Sequence, residues 1–285
     1  MDIGLARTFL EVSSSGSFVA AAERLHLTQT AVSARIRSLE TELGRRLFIR
    51  NKAGARLTPA GERFHRDATI LVQAWERARQ RVALPAGREN VASIGGELSL
   101  WSPLLANWLT WMHTNHPTLA LNAEVGQRAH LLERVREGSL DLAVLYDPPS
   151  QPGLTVELMA DEKLVMVTTS EARTPSVDEY VHVDWGPVFN ENFRAAFPEL
   201  ASSAVTISLG PLALAYVLSV GGAGYFRSNV VKPFVSEKRL RYVPDAPEIS
   251  YSIHAVYSTN SDPDMLAIMR AGLRACAVGT PSIKL

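Results

Sequence analysis

The sequence predicts an α/β protein in two parts: a basic, helical N-terminal domain and a larger region in which strands and helices alternate. Its length of 285 residues is about twice the ~150 residues typical of one domain. Residues 1–88 contain 15 Lys and Arg against 8 Asp and Glu, a net charge of +7, whereas residues 89–285 carry −7. The apolar pattern also changes at about residue 90, from helical spacing to short buried runs.

Composition excludes several classes of protein. An apolar fraction of 46% is that of a folded globular chain, and the single cysteine, Cys276, excludes a disulfide framework or a multi-cysteine zinc site. The uncharged stretches 98–123 and 200–226 are broken by Pro, Gly and polar residues, so we expect no membrane span. Asp2 and Arg7 interrupt the apolar start of the chain, so we expect no signal peptide and a cytoplasmic protein.

The first 45 residues predict short helices with a turn between them. Ser17 is expected to cap the second helix and Thr28 the third. In the third helix the buried face is formed by Val32, Ile36, Leu39 and Leu43. The opposite face is polar, lacks carboxylates and suits a DNA major groove; it carries Thr30, Ser33, Ala34 and Arg37, with Gln29 at the open end. On spacing alone, an ordinary helical hairpin with a polar face explains the pattern equally well.

The next segment favours DNA binding. Residues 46–50 and 55–58 flank a Gly-containing loop and predict a two-stranded hairpin. A basic hairpin directly after a helix-turn-helix is a wing, from which Arg50 and Lys52 would reach phosphates or the minor groove. Residues 1–58 are therefore predicted to form a winged helix-turn-helix DNA-binding domain.

A long helix is predicted from Pro59, and residues 59–88 form the expected linker and hinge. The apolar residues of this helix recur at alternating steps of 4 and 3, the period of a packing seam; they are Phe64, Ala68, Leu71, Trp75, Ala78 and Val82. Such a seam favours pairing with a second copy of the chain. The alternative is packing against the chain's own later domain. Pro85 and Gly87 then predict the hinge.

Residues 89–285 predict an open, largely parallel sheet that binds ligands at the carboxyl ends of its strands. A strand at Val91–Ile94, a tight turn at Gly95-Gly96 and a helix through Trp111 begin the alternation. The sequence has no hydrolase, P-loop or dinucleotide motif. His113 and His116 lack a third ligand in their segment, so no metal site is predicted.

The stretch Phe18–Arg50 closely resembles the winged helix-turn-helix of LysR-type transcriptional regulators. The matching residues are Ala20-Ala21-Ala22, Leu25, Leu27-Thr28-Gln29, Ala31-Val32-Ser33, Ile36-Arg37, Leu39-Glu40, Leu43-Gly44, Leu47-Phe48, Arg50 and, beyond that stretch, Leu57-Thr58-Pro59-Ala60-Gly61. A looser match continues to the C-terminus. Asp184-Trp185-Gly186 and Gln127-Arg128 resemble the subfamily that includes regulators of flagellar operons. Ala34 and Arg35 depart from the pattern, which displaces the basic side chain by about 100° around the helix.

The resemblance implies a DNA-binding transcriptional regulator that is not an enzyme, has no cofactor, and forms a homodimer or homotetramer. It places double-stranded DNA against Thr28, Gln29, Thr30, Ser33, Ala34, Arg35, Arg37, Arg50 and Lys52. Residues 89–285 would share the fold of periplasmic solute-binding proteins. Subdomain I is expected at about 91–164 plus 250–285 and subdomain II at about 165–249, with a small effector between them.

Four residues are the expected effector contacts. Ser99 and Arg128 match pocket positions of the family, and Gln127 and Ser208 lie beside predicted helix starts. Arg128 stands where Ser or Thr is common, so a small anionic effector is predicted; a solvated Arg128 is the equal alternative. The rival functions are a ligand-independent DNA-binding repressor, which a cleft filled by side chains would favour, and a solute-binding protein of transport.

The charge of residues 1–88 generates a first prediction. Affinity for duplex DNA should fall steeply with salt, because each neutralised phosphate contributes about −0.9 to the slope of log affinity against log salt concentration. Fluorescence anisotropy of a labelled duplex, titrated with the full chain at several salt concentrations, measures this slope. A slope near zero would contradict a polyanion partner.

Overall fold

The structure, a computed structural model, describes residues 2–51, 54–172 and 174–277. The predicted wing residue Lys52 lies outside the described residues. The N-terminal domain and linker comprise α1 (Ile3–Ser15), α2 (Phe18–Arg24), α3 (Gln29–Leu43), β1 (Phe48–Asn51), β2 (Gly54–Leu57) and α4 (Pro59–Val82). The helix-turn-helix, the hairpin and the long linker helix are therefore present where the sequence predicts them.

Capping side chains fix where these helices begin. Asp2, Ser17, Thr28 and Thr58 each accept a backbone N–H from the first turn of the following helix. Gly44 ends α3 in the left-handed conformation, at a φ of 66° that glycine adopts without strain. The caps predicted at Ser17 and Thr28 are confirmed.

Aromatic rings fill the core between α1, the wing and α4. The ring centroid of Phe9 lies 5.2 Å from that of Phe48 and 5.0 Å from that of Phe64, and Phe18 meets Phe48 at 5.7 Å. Burial of one such ring contributes about 1.5–3 kcal/mol to stability. Since Phe48 opens β1, the same core holds both the helices and the wing.

The larger region has two parts, and its described strands form a five-stranded sheet in the first part and a four-stranded and a two-stranded sheet in the second. The first part has β3 (Asn90–Gly96), α5 (Ala106–Asn115), β4 (Leu119–Val125), α6 (Arg128–Glu137), β5 (Leu142–Tyr146) and β6 (Leu154–Ala160). The second has β7 (Lys163–Thr168), β8 (Val181–Val183), α7 (Pro187–Ala196), β9 (Val205–Ile207), α8 (Gly210–Val220), β10 (Ala223–Arg227), α9 (Ser228–Ser236), β11 (Arg241–Tyr242) and β12 (Ile249–Ser250). The chain then returns to the first part through β13 (Ile253–Ser258) and α10 (Pro263–Ala277).

The strand order in the first part is β4-β3-β5-β13-β6, and in the second β10-β7-β11 with β12 also on β7. The chain crosses between the parts twice, from β6 to β7 and from β12 to β13. The first sheet is mixed, the second is antiparallel, and β8 and β9 form a separate parallel pair, so the arrangement differs from the largely parallel expectation. β3 is parallel to β4 and β5, but β13 is antiparallel to β5 and β6, and β7 is antiparallel to β10, β11 and β12.

One local prediction was wrong at the start of this region, and the helix predicted through Trp111 is confirmed but begins irregularly. Gly95 and Gly96 are not a turn but the last residues of β3. A side chain at Gly96 would meet Leu105 at 2.3 Å, so these glycines serve close packing. The helix expected through Trp111 begins instead as a 3-10 turn, Leu98–Leu100, and a π-helical turn, Trp101–Leu105, in which Ser102 is extended.

One face of α4 packs on the chain's own effector region. Val72 belongs to the N-terminal core, whereas the side chain of Gln73, 1% exposed, donates to the carbonyl of Arg136 and to the hydroxyl of Ser258, each at 2.9 Å. The helix ends at Val82, and Arg88 donates to the carbonyl oxygens of Pro117 and Leu119. The segment predicted to be a hinge is thus fastened to the first sheet.

The described helices were also examined as membrane spans. None of those in residues 2–51, 54–172 and 174–277 combines the length and the apolar character needed to cross a bilayer.

The start of α4 generates a stability prediction. A methyl group at Gly61 would lie 2.3 Å from the carbonyl oxygen of Leu47, which accepts the N–H of Thr58 and cannot move freely. We expect Gly61→Ala to lower the free energy of unfolding by about 1–3 kcal/mol, as overpacking does. Denaturant unfolding followed by circular dichroism measures the change.

Gly4→Ala is the matched control, because it also adds a methyl group near a helix start. Its nearest neighbour is the flexible Asp2 carboxylate at 3.4 Å, so this variant should be neutral or slightly more stable. Equal stabilities for the two variants would contradict the packing argument.

Candidate DNA-binding and effector sites

The start of α3 forms an exposed polar end of the N-terminal domain. Thr28, Gln29 and Thr30 are exposed, and the hydroxyl of Thr28 accepts the N–H of Ala31 at 3.1 Å. Along the same helix Ala34 and Arg37 are exposed. This surface has the size and the chemistry of a helix that enters a major groove.

Ser33 does not belong to this exposed face, contrary to the expectation. It is 8% exposed, and its hydroxyl lies 3.4 Å from a donor nitrogen of Arg50. The guanidinium of Arg50 in turn stacks over the ring of Phe18 at 3.6 Å. Arg50 and Ser33 are thus held together between the wing and the two helices.

Arg35 lies on another side of α3. It is half-buried, and its guanidinium donates to the hydroxyl of Thr8 on α1 at 3.3 Å. The displacement of the basic side chain noted in the sequence therefore directs Arg35 towards α1. Arg37 stays exposed, with its Nε donating to the carbonyl of Ser33 at 3.3 Å.

An open pocket of about 600 Å³ separates α3 from the wing. Its lining includes the guanidinium-bearing side chains Arg37, Arg46 and Arg50. The carboxylate of Glu40 accepts the N–H groups of Leu47 and Phe48, at 2.7 and 3.3 Å, and so fixes the entry into the wing. Arg46 was missed as a candidate, although its position just before the wing, in a basic run, was a usable signal. Clustered guanidinium groups at such a concave surface suit phosphate oxygens.

The residues of the predicted seam on α4 divide into two groups. Ala68 is buried in the N-terminal core and Phe64 is half-buried against it. The others are exposed: Leu71 by 41%, Trp75 by 48%, Val82 by 89%, and Ala78 as well. The chain's own domains therefore cover the other face of α4, through Val72 and Gln73, and leave an apolar stripe in solvent.

The predicted effector residues lie near the interface of the two parts of the large region. Ser99 is half-buried in the 3-10 turn after β3, and Gln127 is exposed at the N-cap of α6. Ser208 is exposed, two residues before α8 begins. Arg128 begins α6, where its guanidinium lies 3.6 Å from the carboxylate of Glu97. Arg128 thus has an acidic neighbour, and the anionic effector stays a prediction.

Aromatic and charged side chains occupy this interface. The rings of Tyr146 and Tyr251 stack with centroids 4.0 Å apart, and Trp185 meets Tyr251 edge-on at 5.3 Å. Burial, followed by the charges of Tyr146 and Glu97, raises the pKa of Tyr251, so its phenol stays protonated. Arg227 pairs with Glu162 at 2.7 Å as Arg128 pairs with Glu97, so the local charges balance.

Metal-binding clusters were sought among the described residues. No group of three or more His, Cys, Asp or Glu side chains there could hold a metal ion. His113 lies in the last turn of α5 and His116 is its C-cap, where the His116 ring packs 5.5 Å from that of Trp111.

The two parts of the chain match two family models. Residues 3–62 match the bacterial regulatory helix-turn-helix protein model of the lysR family, and residues 86–276 match the LysR substrate binding domain. The chain belongs to the LysR family of bacterial DNA-binding transcriptional regulators, which are not enzymes. The resemblance stated from the sequence is thereby confirmed.

Individual relatives agree with this assignment. The chain is 35% identical over 266 residues to the HTH-type transcriptional regulator HdfR of Salmonella schwarzengrund, which covers 92% of this chain and 94% of that protein. HdfR of Shigella boydii is 33% identical over 269 residues, with coverage of 93% and 95%. The fold is similar to that of ArgP from Mycobacterium tuberculosis, with a TM-score of 0.59, 22% identity and 98% coverage of both chains. LysG from Corynebacterium glutamicum with bound effector Arg also has a TM-score of 0.59, at 18% identity and 98% coverage of both.

The different settings of Arg37 and Arg50 generate a prediction about specificity. Arg37→Ala should relax sequence preference at one base pair, at a cost of about 1–3 kcal/mol if Arg37 pairs with guanine. Arg50→Ala should weaken binding to all DNA sequences about equally. The side chain is anchored on Phe18 and Ser33, and we expect it to face the phosphate backbone of the DNA rather than the bases. Affinities for a selected site and its single-base variants test both effects.

Arg239→Ala, which removes an exposed guanidinium from the effector region, is the matched control and should leave binding unchanged. If Arg50→Ala changed base preference while Arg37→Ala did not, this docking of α3 would be incorrect.

Proposed function

We propose that this regulator binds DNA as a homodimer whose two α3 helices enter the major grooves of paired half-sites. The observation that carries the proposal is the exposed apolar stripe on α4. In helices that pair through such a seam, each apolar side chain fits between residues of the facing helix. The stripe runs along one side of the helix that directly follows the DNA-binding domain, so pairing there would fix the separation of the two recognition surfaces.

The DNA contacts divide by chemistry. The residues that face the bases form the exposed start and outer face of α3: Thr28, Gln29, Thr30, Ala34 and Arg37. Arg50 and Arg46 face phosphates across the open pocket, and Lys52 stays a phosphate or minor-groove contact predicted from the sequence. Ser33 acts indirectly, by holding Arg50, and Arg35 by holding α1 against α3.

A second apolar stripe supports assembly into a homotetramer. Leu212, Tyr216 and Val220 are four residues apart on α8 and are 57%, 39% and 65% exposed. This stripe is remote in sequence from α4 and belongs to the second part of the effector region, so both surfaces can be used at once. Because bacterial DNA lies in the cytoplasm, we propose that the protein acts there.

We also propose an effector site at the interface between the two parts of the effector region, with Ser99, Gln127, Arg128 and Ser208 as its predicted contacts. Because aromatic and charged side chains meet there, an effector would have to displace some of them, and a cleft that stays filled would favour the ligand-independent repressor. The charged side chains at this interface are already paired, Arg128 with Glu97 and Arg227 with Glu162, and this limits how the anion expected from the sequence could bind. A small carboxylate or phosphate would have to replace Glu97 at Arg128. A bound effector would change the relative position of the two parts, and a resulting shift of α6 or β13 in the first part would reach α4 through Gln73, which is bonded to both elements.

The stripe on α4 generates a test of this proposal. Leu71→Asp combined with Trp75→Asp would place charges inside the proposed seam, where burial is costly without a partner. We expect a monomer in sedimentation velocity and loss of binding to an operator with two half-sites. The variant should still fold, because both side chains are exposed in the single chain.

Leu158→Asp with Val188→Asp is the matched control, since these side chains are 57% and 70% exposed on the effector region. This control should keep the dimer. A Leu71/Trp75 variant that sediments as a dimer would show that another surface holds the copies together.

A further inference from the structure

Arg227 is a buried cation at the interface between the two parts of the effector region. It ends β10 in the second part, and its side chain is 6% exposed. Removing an arginine from water is costly unless its donors are satisfied. Its contacts therefore show which parts of the fold depend on it.

Those contacts join both parts. Its Nε donates to the carboxylate of Glu162 at 2.7 Å, and Glu162 lies on the first crossover, between β6 and β7. Its Nη1 donates to the backbone carbonyl of Ser99 at 2.7 Å, in the first part. Its guanidinium also lies 5.9 Å from the ring centroid of Tyr146, at the end of β5. One side chain thus connects the second part, a crossover and the first part.

The second crossover is tied to the same group. The N–H of Tyr251, between β12 and β13, donates to the carbonyl of Glu162 at 2.7 Å. The ring of Tyr251 is enclosed by Tyr146 of the first part and Trp185 of the second. Trp185 is itself fixed, because its Nε1 donates to the carbonyl of Tyr225 at 2.9 Å. Arg227 and Glu162 therefore contact both crossovers, from β6 to β7 and from β12 to β13, and any rotation of one part against the other would occur at these two segments.

We propose that Arg227 is a latch that closes the cleft in the absence of any effector, by bridging Glu162 and the carbonyl of Ser99. The proposal goes beyond the DNA-binding function, and it concerns the resting state of the effector region. The guanidinium reaches the backbone of Ser99, the residue expected to contact the effector. An effector that uses the carbonyl of Ser99, or that separates the two parts, would compete with this contact.

The latch can be removed without leaving an unpaired charge. Arg227→Gln combined with Glu162→Gln removes both charges and keeps a polar side chain at each position, isosteric at 162 and shorter at 227. Hydrogen exchange measured by mass spectrometry on the full chain, without ligand, reports the opening of the interface. We expect the amide of Tyr251 to exchange at least tenfold faster in this variant, whereas amides within β7 keep their rates because that strand lies inside one part.

The matched control is Lys163→Gln with Glu248→Gln. This ion pair lies next to Glu162 in sequence but is solvent-exposed on both sides, at 52% and 55%. Its removal should leave the exchange of Tyr251 unchanged. If the Arg227/Glu162 variant also exchanged at the wild-type rate at Tyr251, the latch would be refuted.

Arg227→Lys decides the matter if the double variant does not fold. Lysine keeps the charge, but its single nitrogen cannot reproduce the planar fork that reaches Glu162 and Ser99 together. The exchange of Tyr251 should then be intermediate between wild type and an open cleft. A wild-type rate in Arg227→Lys would contradict a bridge made by the two ends of the guanidinium.

Discussion

The side-chain amide of Gln73 determines how the DNA-binding domain sits relative to the effector region. It is almost fully buried and donates to α6 through the carbonyl of Arg136 and to β13 through the hydroxyl of Ser258. Its neighbour Val72 belongs to the N-terminal core. Two successive residues of α4 thus face different domains, so the helix cannot shift without disturbing both.

This arrangement assigns three tasks to one helix. One side continues the N-terminal core, a second side carries the hydrogen bonds to the effector region, and the third exposes Leu71, Trp75 and Val82. A structural change in the effector region would therefore alter the position of the exposed apolar stripe on α4, through which two copies are proposed to pair. No flexible hinge is needed for this transmission, since Arg88 fastens the segment after α4 to the first sheet. The two interpretations of the seam each describe one side of the same helix.

Local patterns were sufficient to predict the N-terminal domain. The caps at Ser17 and Thr28, the buried face of α3 and the wing all depend on residues close in sequence. The site residues that differed depend on distant partners. Ser33 is buried because Arg50, 17 residues later, folds back over Phe18. Arg128 is paired because β3 leads directly into Glu97, 31 residues before it.

The same distinction explains the effector region. Apolar runs located the strands, but periodicity does not give strand direction: β13 runs antiparallel in the first sheet, and the partners of β7 are all antiparallel to it in the second. The role of Gly95 and Gly96 in close packing could not be seen without Leu131 and Leu105, which come from later in the chain. The contacts of Arg227 were equally hidden, because they join segments separated by up to 128 residues.

The central claim is that two copies joined through α4 read paired half-sites, and footprinting of the full-length protein on a selected duplex tests it most directly. The account predicts two protected major-groove segments related by twofold symmetry, with centres about 10 base pairs apart or a multiple of that distance. Insertion of about half a helical turn between them should abolish high-affinity binding. A single protected segment, or an affinity unaffected by the insertion, would contradict the account.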